Sequence, residues 1–378
     1  MNYKLTEEQN AIKEMAERFT ADKITPNAAE WDEQHKFPLD TIREAATLGF
    51  GSIYINEEDG GIGLGRVDAT LIMEAMAYGC PSTSAFISIH NMATWMLSTY
   101  GSESLKGRFL DKLASMDMIS SYCLTEPSSG SDAASLKTKA VLSDDHYLLN
   151  GSKAFISGAG ENDVYICMVR TGDNSHRGIS CLLVEKDTPG VSFGANERKL
   201  GWHSQPTATV NFENAKVPIE NRIGDEGDGF KIAMAGLDGG RLNIAACSIG
   251  GAQRCLDEAI QYTKERTQFG QAIADFQNTQ FMLADMATSL AASRALLHIA
   301  AQKVDEKAAD RTMYAAMAKL YATDSASKIA NDALQLHGGY GYLMDFPIER
   351  IVRDLRVHEI LEGTNQIMRL VIGRELTS

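Results

Sequence analysis

Near the end of the chain a carboxylate, Glu362, stands in Ile360-Leu361-Glu362-Gly363-Thr364-Asn365-Gln366, between an apolar pair and a glycine turn. Beyond the turn Ile367, Leu370 and Val371 recur at helical spacing, so Glu362 sits just ahead of a helix start. Burial against Ile360 and Leu361 raises a carboxyl pKa, whereas backbone N–H groups at a helix end favour the anion. Together they describe a general base of tuned strength. The same residues also fit a solvated turn glutamate, since charged turn residues are common. A second stretch with chemical potential is Gly239-Gly240, two glycines in an otherwise helical run. Each costs about 1 kcal/mol relative to alanine, so either something approaches that backbone closely or the helix bends. A third is residues 122–132, a strand running into a Ser/Gly loop, which also fits a tight inter-strand turn.

Composition excludes several classes. The formal net charge of -14 argues against a nucleic-acid or anionic-membrane surface. Cysteines at 80, 123, 167, 181, 247 and 255 form no Cys-x-x-Cys pair and read as reduced thiols in a cytosol-like compartment. No histidine pair has the spacing of a zinc helix, so no metal is expected. The cluster Gly60-Gly61-Ile62-Gly63-Leu64-Gly65 departs from the dinucleotide fingerprint and reads as an inter-helix loop.

The elements that must position these residues come in three blocks. Thr6-Glu7-Glu8-Gln9 is a capping box ahead of Ile12, Met15, Ala16 and Phe19 on one helical face, which is folded protein rather than a signal peptide. A cytoplasmic location follows, or the mitochondrial matrix for a processed form. No apolar run is long enough to span a membrane. Helical periodicity holds to about 118. Between 120 and 220 the period is two, with strands expected at 122–125, 139–142, 146–149, 153–156, 164–169, 179–185 and 207–212, and Asn150-Gly151 as a hairpin turn. Helices return after Pro218; Met313, Ala316, Met317, Leu320 and Tyr321 mark one face of a helix closed by His337-Gly338-Gly339. The expected fold class is α+β and multidomain: an N-terminal α-helical domain (1–118), a middle antiparallel β-barrel or sandwich (119–222) and a C-terminal antiparallel bundle of four-helix type (223–378).

YCLTEPSSGSD at 122–132, RTQFG at 266–270, QLHGGYGY at 335–342 and LEGTNQ at 361–366, in that order over essentially the whole chain, resemble the flavin-dependent acyl-CoA dehydrogenase family. Its architecture is the helix-strand-helix order just given. NGSKAFISGAG at 150–160, GWHSQPT at 201–207, LDGGRLNIA at 237–245 and RDLRVHEILEGTNQIMR at 353–369 resemble the members acting on isobutyryl-CoA. The resemblance implies FAD-dependent α,β-dehydrogenation of a short branched acyl-CoA, isobutyryl-CoA to methacrylyl-CoA in valine degradation, with electrons passing to an electron-transfer flavoprotein. Butyryl-CoA and 2-methylbutyryl-CoA are the alternative substrates, an oxidase using oxygen is a second enzyme reading, and a non-catalytic scaffold is the alternative of another class.

The resemblance also implies roles. Glu362 takes the α-proton and its N–H polarises the thioester carbonyl. Some relatives place the base at the position of Gly240, which here has no side chain. FAD would be held by Tyr122, Leu124, Thr125, Gly130 and Ser131, by Phe155, Ile156 and Ser157, by Arg266, Phe269, Phe276 and Gln277, and by Thr364, Asn365 and Gln366. Many members carry tryptophan where Phe155 stands and glycine where Ser128 stands. Gln335, Leu336, His337, Gly338 and Gly339 would reach the FAD of a neighbouring subunit in a homotetramer, a dimer of dimers. Ser131, Asp238, Gly239, Gly240, Arg241 and Arg374 would contact substrate.

Overall fold

Thr6 caps the first helix, α1 (Glu7–Phe19): its side chain accepts from the Gln9 N–H and its own N–H donates to the Gln9 side chain, each at 3.1 Å. This is the capping box expected from the sequence. The computed structural model describes residues 5–377; the outer ends of the first and last expected domains, residues 1–4 and 378, lie outside them. Five more helices follow: α2 (Ala28–Glu33), α3 (Leu39–Ala46), α4 (Arg66–Gly79), α5 (Pro81–Tyr100) and α6 (Glu103–Ala114). The chain is buried through most of α4 and α5, which therefore form the centre of this block. The glycine cluster is a loop, with Gly60 and Gly63 at φ of 83° and 64°. It delivers Arg66 to the start of α4, where the N–H groups of Arg66 and Val67 donate to the carboxylate of Asp305 at 2.8–3.4 Å. An acid from the far block thus caps an N-terminal helix.

The middle block is a sheet of eight strands: β1 (Ser120–Cys123), β2 (Lys139–Ser143), β3 (His146–Ser157), β4 (Val164–Arg170), β5 (Ile179–Glu185), β6 (Val191–Phe193), β7 (Thr207–Pro218) and β8 (Arg222–Ile223). Its order is β6-β7-β3-β2-β4-β5-β8, with β1 paired to β4. Pairing is antiparallel except for β1 with β4 and a single parallel pair between β2 and β4. The hairpin expected at Asn150-Gly151 is not there. Residues 146–149 and 153–156 belong to one continuous strand, β3, and the pair lies opposite a bulge in β7, where Glu213 and Asn214 face Asn150. Asn150 accepts the Asn214 N–H at 2.9 Å and donates to the Asn214 side chain at 3.1 Å, so two asparagines close the irregularity that a turn would otherwise resolve. The chain reverses instead at Asp144-Asp145, with Asp144 at φ 56°.

The third block begins with α7 (Gly229–Glu265), 37 residues without a break. A short hairpin, β9 (Thr267–Gln268) with β10 (Gln271–Ala272), leads into α8 (Gln277–Asp305), α9 (Arg311–His337), α10 (Ile348–Arg356) and α11 (Asn365–Thr377). Gly338, at φ 58°, ends α9 as the glycine pair promised. The buried face of α9 keeps Ala316 of the expected one but is shifted: Ala315, Ala318, Lys319, Ala322 and Ala326 are also inside, Met313, Met317 and Leu320 are half-buried, and Tyr321 is 42% exposed. Small side chains let α9 lie close against α7, which places larger ones at the rim. The apolar core runs without interruption from α1 and α4 through α7, α8 and α9, and a second cluster joins α5 and α6 to β4 and β5. Among the described residues no helix is long and apolar enough to cross a membrane.

Candidate active site

Glu362 lies in the turn between α10 and α11 with a left-handed backbone, φ 56°, followed by Gly363 at φ 90°. A non-glycine residue there stores roughly 1 kcal/mol of strain, which the neighbouring contacts must hold. The strained turn aims the carboxylate at α7. A Cβ built on Gly240 would lie 2.6 Å from Glu362 Oε2 and 2.9 Å from Met92 Sδ, so the missing side chain makes the room the carboxylate occupies. The pair of glycines therefore answers the expectation of close approach, and α7 runs through it unbroken. Gly239 answers to a different group: its Cβ would lie 2.3 Å from the Arg66 guanidinium, which rests 3.5 Å over the Tyr54 ring and 5.3 Å from the Trp95 ring.

The electrostatics suit a base. Glu362 Oε2 is buried with no hydrogen-bond partner among the described residues. Burial pushes the Glu362 pKa up to about 7, against the opposing pull of Arg241 and Lys319. Arg241 donates to Asp238 Oδ1 at 2.8 Å, and its Nε reaches the Glu362 carbonyl at 3.4 Å. Thr312 donates to the other Asp238 oxygen at 2.7 Å. Asp238 and Arg241, expected to face substrate, thus have partners inside the chain and buttress the turn. The Glu362 N–H finds no acceptor in the chain among the described residues. Asn365 is buried, its amide bonded to Lys319, Thr323 and Asp324, so its side chain holds the turn and leaves only its backbone for a ligand. The Thr364 hydroxyl accepts the Ile367 N–H at 3.3 Å, Gln366 is exposed, and Arg374 is exposed two turns on.

Residues 122–131 leave β1 beside this turn. The Tyr122 hydroxyl is buried without a hydrogen-bond partner among the described residues; burial, then the Glu362 charge, raises its pKa. Leu124 is buried and Thr125 half-buried, its carbonyl accepting the Ala154 N–H at 2.9 Å. A buried ion pair holds the loop: Lys153 Nζ donates to the Leu124 carbonyl at 3.1 Å and to Glu126 Oε1 at 2.8 Å, while Glu126 accepts the N–H groups of Lys137 and Thr138. Burial opposes the Glu126 charge, but Lys153 and these donors outweigh it and lower its pKa. Beyond the pair, Gly130 and Ser131 are exposed, and a Cβ on Gly130 would meet nothing within 4 Å. Phe155 stands at a register shift of β3 with φ 59° and 68% of its surface exposed. The side chain of Ile156 points the other way into the sheet core, so only its backbone can meet a ligand; Ser157 is half-buried and its carbonyl accepts from Ser121. An orphaned phenol, an exposed aromatic ring on a strained bulge and a bare Ser/Gly loop fit the ring and pyrophosphate of FAD.

A second patch forms at one end of the bundle. Arg266 lies 5.6 Å over the Tyr340 ring; Phe269, 94% exposed at φ 54°, meets Phe276 edge-on at 6.2 Å, and Gln277 is exposed at the start of α8. Gln335, Gly338 and Gly339 are exposed and Leu336 half-buried. The His337 ring is not available: it is buried, stacked on Tyr262 at 4.3 Å, with Nδ1 against the Ala333 carbonyl at 2.8 Å. The structure thus brings 266–277 and 335–340 together in one chain. Among the described residues no hydrogen bond, ion pair or ring contact joins this patch to Glu362 or Phe155.

The sequence reading missed Arg66, Lys153, Glu126 and Lys319. Glu126 and Lys153 had a signal, their places inside the 122–132 and 150–160 stretches; both lysines still read as surface residues because buried ammonium groups are rare.

Three family profiles match the chain: "Acyl-CoA dehydrogenase, N-terminal domain" over 6–117, "middle domain" over 121–215 and "C-terminal domain" over 227–377. The chain is 56% identical over 374 residues to the mitochondrial isobutyryl-CoA dehydrogenase of Dictyostelium discoideum, covering 99% of this chain and 90% of that one. It is 54% identical over 372 residues to the mitochondrial isobutyryl-CoA dehydrogenase of Bos taurus, covering 98% and 89%. Among solved structures, a chain described with the electron transferring flavoprotein of Acidaminococcus fermentans superposes with a TM-score of 0.97 at 41% identity, covering 100% of this chain and 99% of that one.

Proposed function

The chain belongs to the acyl-CoA dehydrogenase family, whose cofactor is FAD, and on that premise we propose that it converts isobutyryl-CoA to methacrylyl-CoA in valine degradation, with an electron-transfer flavoprotein as acceptor. The observation that carries the reaction is Glu362: a buried, unpartnered carboxylate oxygen whose proton affinity lies near neutrality. Oε2 takes the α-proton of the thioester. The Glu362 N–H, without an acceptor of its own, donates to the thioester oxygen, where negative charge grows as the proton leaves. FAD, held there, would supply the acceptor for the β-hydrogen and its electron pair, which leaves a C=C bond and removes two electrons from the substrate. Tyr122, Phe155 and the loop held by Lys153 and Glu126 orient that ring, and Gly240 leaves the carboxylate its position.

The choice of acyl chain draws its support from the 54–56% identity to two isobutyryl-CoA dehydrogenases. The acceptor draws its support from the relative described with an electron transferring flavoprotein. The tetramer is part of the same proposal, motivated by the exposed patch at Arg266, Phe269 and Gln335. Anaerobic flavin bleaching across short straight and branched acyl-CoAs tests the reading, with isobutyryl-CoA expected fastest. One methylene in an apolar pocket discriminates by about 1–3 kcal/mol, so butyryl-CoA and 2-methylbutyryl-CoA should react more slowly rather than not at all. Faster bleaching by a straight chain would overturn the substrate, and no bleaching by any acyl-CoA would overturn the reaction.

A further inference from the structure

Lys319 lies on the face of α9 turned toward the Glu362 turn and has no exposed surface. Its Nζ donates to the Gly363 carbonyl at 2.9 Å and to Asn365 Oδ1 at 2.8 Å, the residues one and three places beyond Glu362. Asn365 is itself held by Thr323 and Asp324 on the same helix. Both acceptors on the ammonium are neutral, and among the described residues no carboxylate lies within ion-pair distance of it. A buried charge with only neutral contacts is expensive, and an apolar side chain of similar volume would fill the space at lower cost. The charges around it explain its presence: Glu362 from the turn, Asp324 on α9 and Glu359 before the turn favour the cation, Arg241 on α7 opposes it, and His358 is kept neutral by burial with Lys319 adding to the effect. Glu362 in turn faces Arg241 and Lys319, and its charge is felt by the phenols of Tyr54 and Tyr122.

We propose that Lys319 is a positioning residue for the proton transfer: it pins the carbonyl beside Glu362 so that the left-handed turn aims Oε2 at the substrate, and its charge favours the ionised form of that carboxylate. The inference rests on Glu362 being the base. Burial lowers the Lys319 pKa to about 8, so the cation is present through the range in which Glu362 titrates and fades above it.

The test uses FAD-loaded Lys319→Met, which removes charge and donor, and Lys319→Gln, which keeps a donor for Gly363 without the charge. Two readouts are followed against pH: the rate of anaerobic bleaching by isobutyryl-CoA, and the infrared carboxylic-acid band of Glu362 in the substrate-free protein, identified by its loss in Glu362→Gln. Flavin content establishes that each variant is folded. Both variants should raise the Glu362 midpoint by about one pH unit. That shift slows bleaching about eight-fold at pH 6.5 and leaves it nearly unchanged at pH 9. Lys319→Met should add a loss that is the same at every pH, from the freed Gly363 carbonyl; should it not fold, Lys319→Gln decides the matter. An unmoved infrared midpoint, with rates lowered equally at all pH values or not at all, would overturn the proposal and leave Lys319 a packing residue. Normal bleaching by Glu362→Gln would instead overturn the base assignment on which it rests.

Discussion

At the scale of single residues, the site is a contest over one proton. Burial pushes Glu362 toward neutrality of charge while Arg241 and Lys319 pull it back, and the balance falls at about 7. The bleaching rate should therefore rise through neutral pH and level off above it, a limb absent from any variant that lacks the carboxylate. Glu362→Gln should bleach roughly 10²–10⁴-fold more slowly with isobutyryl-CoA while keeping the yellow flavin and ligand binding, measured by anaerobic stopped-flow spectra. Stability should move the other way. The folded pKa is raised above the usual carboxyl value of 4.5, so the protonated form stabilises the fold at low pH and that stability is lost as pH rises toward 7. Glu362→Gln should thus melt higher than the parent at pH 8, with the gap closing below pH 5; a gap that widens on acidification would contradict the burial of Oε2. Gly240→Ala places a methyl 2.6 Å from that oxygen. Because the clash is with the movable end of a side chain, the fold and flavin should survive while bleaching falls at least about ten-fold, read in the same spectra.

At the scale of elements, what matters is how strands and helices hand over the loops between them. β1 ends at Cys123, two residues before the end of the strand expected from the pattern, because Leu124 and Glu126 are claimed by Lys153 on β3. That pair sets the path of the loop proposed to meet the flavin. Lys153→Met leaves the Glu126 carboxylate buried and uncompensated, which should destabilise the protein by about 3–5 kcal/mol and release flavin, measured by denaturant melting and by absorbance after gel filtration. An unchanged melt would show that Glu126 is solvated. The Asn150-Gly151 pair shows why local signals mislead: the dipeptide favours a tight turn, yet Asn214 on β7 offers it bonds that a turn would forgo, and it stays in the strand opposite a bulge of β7. In α9 the apolar pattern gave the right helix and only part of its buried face: Ala316 is inside with Ala315, Ala318 and Ala322, whereas Tyr321 is left at the exposed edge.

At the scale of the whole molecule, three blocks meet at one turn: α10 and α11 carry Glu362, α7 yields space at Gly240, and β1 and β3 present Tyr122 and Phe155. The patch of Arg266, Phe269 and Tyr340 stands apart from these, exposed in the single chain. Arg266→Ala should weaken FAD retention more than acyl-CoA affinity, and dilution to monomers should release flavin, both followed by flavin fluorescence against light scattering; a monomer that keeps its full complement of FAD would argue against a site shared between subunits. The order of helices, strands and helices, the capping box, the glycine stop of α9 and the turn that carries Glu362 ahead of a helix were all legible in the sequence, because each rests on local periodicity, on turn chemistry or on a motif of contiguous residues. Only the tertiary structure decided that Gly240 faces Glu362 from 122 residues away, that Asp238 and Arg241 brace the turn, and that Lys319 and Lys153 are buried as cations. A buried charge is tolerated only when its partners arrive from distant parts of the chain, and no window of sequence contains them.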